Sequence, residues 1–73
     1  MYKIPDDILK MIMAVRKTGE VNMFDTGSVQ EIAMEQGQHE LAIWLAEDEN
    51  AEAYASFILT GEGANPESVK AYL

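Results

Sequence analysis

Apolar residues recur along this chain at helical rather than strand spacing, in stripes separated by polar or glycine-bearing joints. Residues 5–18, PDDILKMIMAVRKT, predict the first helix. Pro5 suits a first turn, Asp6 and Asp7 face the positive end of the helix dipole, and Arg16 and Lys17 face the negative end. Gly19 supplies the stop. At 100° per residue, Ile8, Leu9, Met11, Ile12, Met13 and Val15 cover an arc of about 200°, wider than one buried stripe requires. Two accounts fit that width: a central helix covered on two sides, or a self-association face in which Leu9, Met11 and Met13 meet a second copy.

Val29, Ile32 and Ala33 predict a second helix over 26–36, closed by Gly37. Its start is open between Asp25 or Thr26 as N-cap and a capping box of Ser28 with Glu31. Met23 and Phe24 precede the cap, where large apolar side chains staple the entering chain to the core. Leu41, Trp44 and Leu45 mark a third helix over 39–47. Continued unbroken, that helix would carry Asp48 and Glu52 onto its buried face, at a cost of several kcal/mol, so a break is expected. A new stripe of Ala51, Tyr54, Phe57 and Ile58 predicts a fourth helix over 51–60, capped by Asp48 or Asn50. The stretch AEDENAE (46–52) is thus read as a solvated helix joint.

EGAN (62–65) reads as a short flexible link, after which Asn65 caps a short helix with Pro66 at its first position. Val69, Tyr72 and Leu73 give that helix one small apolar face, which either docks on the body or contacts a partner. The expected fold is all-α: a compact bundle of four short helices with a short C-terminal fifth. One helical domain spans 1–62, followed by a linker and short helix over 63–73. Phe24, Trp44 and Phe57 are expected to share its core.

Composition narrows this picture. A chain of 73 residues with 48% hydrophobic content makes one folded domain rather than a disordered acidic tail. No cysteine is present, so disulfides and thiolate metal sites are excluded. The apolar runs are too short to span a bilayer, and no basic segment leads into an apolar one at the N-terminus. A soluble cytoplasmic protein is expected.

The net charge of −8 is unevenly placed. Lys3, Lys10, Arg16 and Lys17 lie in the first helix region and Lys70 near the end, with no Lys or Arg between Thr18 and Val69. Every acid except Asp6 and Asp7 falls after Thr18, and Glu47, Asp48, Glu49 and Glu52 form the densest group. Such a field repels nucleic acid and anionic membranes and attracts a basic protein. The four clustered acids are the candidate partner-binding residues. A soluble surface that merely happens to be acidic is the plainer account of the same pattern.

Catalytic and metal-binding chemistry finds little support. Asp48 and Asn50 have calcium-loop spacing, but the sixth position is Ala53 rather than Gly and the twelfth is Leu59 rather than Glu. His39 has no Cys, Ser or second His to work with. TGEG (60–63) lacks the lysine of a phosphate cradle and follows a helix rather than a strand. No cofactor, metal or enzymatic activity is expected.

The pattern Thr18-Gly19, Asn22-Met23-Phe24-Asp25, Val29-Gln30, Ile32-Ala33 and Phe57 to Gly61 resembles a family of very short, uncharacterised proteins. These come from phages, prophages and other mobile elements of Gram-positive bacteria. The resemblance spans most of residues 5–62, and the tail from Gly63 onward looks like an addition. It implies a small phage-type protein in a bacterial cytoplasm and names no chemistry. Charge and resemblance together lead to an expected interaction protein that inhibits a host or antiphage-defence nucleic-acid-binding protein, in the manner of an anti-CRISPR. The contrasting expectation is a homo-oligomeric structural or regulatory module acting through the apolar face of the first helix. A helix-turn-helix DNA binder is disfavoured, because no helix is a basic recognition helix.

Overall fold

In a computed structural model, which describes residues 2–72, the chain forms five helices. They are α1 (Asp6–Thr18), α2 (Thr26–Glu35), α3 (His39–Leu45), α4 (Asp48–Thr60) and α5 (Pro66–Lys70). Among the described residues no helix is long and apolar enough to cross a membrane.

Helix α1 packs against both α2 and α3. This accounts for the wide apolar arc: Ile8, Leu9, Ile12, Met13 and Val15 are all buried, and Met11 is half-buried. Leu9 has no exposed surface and Met13 only 8%, so neither can meet a second copy while the chain is folded. Of the three residues assigned to self-association, Met11 alone keeps appreciable surface.

Asp25 caps α2, its Oδ1 accepting the Ser28 N–H at 3.2 Å and its Oδ2 the Ser28 hydroxyl at 2.8 Å. The Ser28 hydroxyl, then its backbone N–H, holds the Asp25 carboxyl below its ordinary value. Helices α2 and α3 form a tight hairpin. Gly37 adopts φ +77°, and the Gln38 N–H donates back to the Ala33 carbonyl at 2.7 Å. The Gln30 side-chain amide donates to the Ala42 carbonyl at 3.0 Å and ties the two helices laterally.

Phe24 departs from expectation. It is 61% exposed and is no part of the core. The Asn22 side chain accepts the Phe24 N–H at 2.9 Å, and the Asn22 carbonyl accepts the Asp25 N–H, so the turn is set by polar bonds that need no apolar staple. Its neighbour Met23 packs against the core instead. Phe57 is buried as expected, and Trp44 packs half-buried on the core's edge.

The tail closes the molecule. The Ile4 N–H donates to the Gly63 carbonyl at 2.9 Å, Ile4 and Ala64 form a parallel bridge, and both are buried in the same core as α1–α4. Residues 62–65 are therefore pinned rather than a loose link. Gly63 sits at φ +104°, where other residues are strained, although a Cβ there would meet the Ala53 carbonyl and the Ile4 side chain only at an ordinary 3.9 Å. Asn65 caps α5, Ser68 donates to Asp6 at 2.8 Å, and Val69 packs on the core. Tyr72 stays exposed and Leu73 lies outside the described residues. The Cα radius of gyration, 11.0 Å, matches the roughly 11 Å of a close-packed chain of this length, as expected with the tail folded in.

Candidate protein-binding surface

The joint between α3 and α4 displays the densest acids. Helix α3 ends in a tightened turn, with the Ala46 and Glu47 N–H groups donating to the Ile43 and Trp44 carbonyls. Glu47 is extended, at φ −83° and ψ 129°, and α4 starts at Asp48, three residues earlier than the stripe predicted. Neither Asp48 nor Asn50 caps it. Asn50 turns back and donates its side-chain amide to the Trp44 carbonyl at 2.9 Å, so it serves the end of α3 instead of the start of α4.

The break has the expected effect on the carboxylates. Glu47, Asp48, Glu49 and Glu52 are all exposed, while Ala53, Tyr54 and Phe57 face the core. Asp48 and Glu49 also gain from the positive end of the α4 dipole. Among the described residues the sole ion pair joins Lys70 to Glu67 at 3.6 Å, on the exposed tail helix. The four joint acids thus form no ion pair among the described residues.

Two of them meet further residues. Glu49, Glu52 and Ser56 lie three and four apart on one face of α4, and that face forms a wall of an open groove of about 690 Å³. Tyr2, Lys3, Glu62 and Gly63 line the groove from the chain ends, brought there by the Ile4–Ala64 bridge. Glu47 and Asp48 stand at the joint, outside that lining. Glu62 therefore joins Glu49 and Glu52 as a third groove carboxylate. It shares no helix with them, and only long-range pairing of the chain ends brings it there.

The helix that displays these acids is held firmly. Tyr54 is fully buried, and its hydroxyl donates to the Met23 carbonyl at 2.6 Å, anchoring α4 to the segment before α2. Burial pushes the Tyr54 phenol up to about 12. His39 is exposed at the start of α3. Among the described residues no three His, Asp or Glu side chains gather closely enough to hold a metal ion.

The profile of a domain of unknown function, DUF5049, matches residues 4–62. The chain belongs to the DUF5049 family. The match starts at Ile4 and ends at Glu62, one residue before the carbonyl that pairs with Ile4. The DUF5049 region thus comprises α1–α4, and the docked tail lies outside it. No curated protein and no solved structure matches the chain. Family membership assigns no activity.

Proposed function

We propose that this DUF5049 protein is a small acidic interaction protein that binds a basic protein at the surface the latter uses for nucleic acid. In its concrete form it is a phage-type inhibitor of a host or antiphage-defence nucleic-acid-binding protein, anti-CRISPR-like, acting in a bacterial cytoplasm without catalysis of its own. One observation carries the reading. Helices α2, α3 and α4 contain no Lys or Arg, and the acids of the α3–α4 joint project into solvent, paired with no cation among the described residues although Lys3 lines the groove beside Glu49 and Glu52. Exposed like charges held on a rigid helix steer a basic partner and exclude the phosphate backbone it would otherwise hold.

The homo-oligomeric module gains nothing from this geometry, because Leu9 and Met13 are spent in the chain's own core.

The test uses two baits in prophage-bearing cells: the wild-type chain and one with Glu47, Glu49 and Glu52 changed to Gln and Asp48 to Asn. The reading expects the wild type alone to retain a basic protein, and expects added wild-type chain to release that protein's bound nucleic acid. A partner retained equally by both baits, or one that keeps its nucleic acid, overturns the reading.

A further inference from the structure

A second groove, of about 620 Å³, runs between α2 and α3 on a face separate from the α3–α4 joint. Gly27 and Ala42 keep it open, Met34 forms its apolar wall, and Glu31 and Glu35 stand beside it. Met34 is 51% exposed, although the core residue Ala33 adjoins it on the same helix.

Gly27 is not explained by the fold. Its φ is not positive, so no left-handed turn requires it. A Cβ there would meet only the Asp25 carboxylate, at 3.6 Å, an ordinary contact. Gly27 lies in the first turn of α2, where its backbone also bonds the Asp25 carboxylate, and the lack of a side chain leaves that turn open to close approach. Glu31 and Glu35 form a like-charge pair one turn apart, with no Lys or Arg on α2 or α3 to relieve it.

We propose that this groove docks a basic amphipathic segment of a partner protein. One apolar side chain of that segment would sit among Met34, Gly27 and Ala42, and flanking Lys or Arg side chains would meet Glu31 and Glu35. The inference rests on the reading of the chain as a binder of basic proteins and names where the apolar part of that contact lies. Charge complementarity points to this occupant, because two copies of a chain with net charge −8 repel each other. The cations of α1, Lys10, Arg16 and Lys17, are exposed, but the apolar residues of the same helix are in the core, so α1 offers charge without an apolar anchor.

The test is an NMR titration of the whole chain with a synthetic amphipathic helix of about 14 residues built from Leu and Lys. Oligolysine of equal charge is the comparison probe. Shifts should concentrate at residues 27–35 and 42. Met34→Gln and Glu31→Gln with Glu35→Gln should each weaken binding about tenfold, and Leu59→Gln, an exposed apolar change on α4, should not. Oligolysine should perturb the groove far less.

Equal affinity of the Met34→Gln variant, or shifts centred on residues 47–52, would overturn the groove while leaving the acidic-surface reading in place. Failure of both cationic probes to bind would overturn both. Self-association abolished by Met34→Gln would replace the proposed occupant with a second copy. Unchanged circular dichroism of each variant guards against loss of fold.

Discussion

Phe24 and Tyr54 are two large aromatic side chains with opposite fates, one 61% exposed and one fully buried. A local polar turn around Asn22 decides the first, and a hydrogen bond spanning the fold, from Tyr54 to Met23, decides the second. Phe57→Ala should therefore cost about 3–5 kcal/mol, whereas Phe24→Ala should stay within about 0.5 kcal/mol. Chemical denaturation of both variants checks the contrast. Tyr54→Phe should cost about 1 kcal/mol through loss of the bond to Met23. It should also change the alkaline limb of stability. The folded-state phenol is raised to about 12, so its contribution is complete below the unfolded value near 10 and is lost as pH rises through the folded one. Thermal melts between about pH 9 and 12 should show the wild type losing stability more steeply than Tyr54→Phe. Asp25, whose carboxyl is lowered, works in the opposite sense. Its contribution is present above its unfolded value and fades in acid, and Asp25→Asn should flatten that acid limb.

At the scale of elements, the sequence was legible wherever a local rule acted alone. Asn65 caps the helix its position predicts, Asp25 proves to be the cap among the starts left open for α2, and the conflict posed by Asp48 and Glu52 does break the chain between α3 and α4. The break falls at Glu47 because Asn50, a good cap by type, is drawn to the Trp44 carbonyl, a choice that depends on how α3 ends. Asn50→Ala should leave that carbonyl to water and cost about 1 kcal/mol, measurable by thermal unfolding. The pairing of Ile4 with Gly63 and Ala64 left no local signature, since its two halves lie at opposite ends of the chain. Glu62 could not be recognised as a groove residue for that reason. Deleting residues 63–73 should uncover Ile4 and lower the melting temperature markedly, even though the deletion spares the whole DUF5049 region.

At the scale of the whole molecule, the apolar arc of α1 and the acidic run from Thr18 to Val69 are complementary facts. The arc is consumed internally, so sedimentation at micromolar concentration should show an 8.1 kDa monomer. What remains for partners is an outer surface of unusual charge, displayed on helices that the Tyr54 and Gln30 bonds hold in place. Its acidity was readable from composition, and its arrangement into a joint patch and two grooves was not, because no local pattern says which faces the packing leaves open. The central claim is that this surface binds a basic protein. It is tested most directly by titrating the captured partner against wild-type chain and the variant neutralised at Glu47, Asp48, Glu49 and Glu52, each at low and high salt. The account predicts that neutralisation weakens binding, mainly by slowing association, and that salt weakens the wild-type complex far more than the neutralised one. Equal affinities in all four conditions would contradict it.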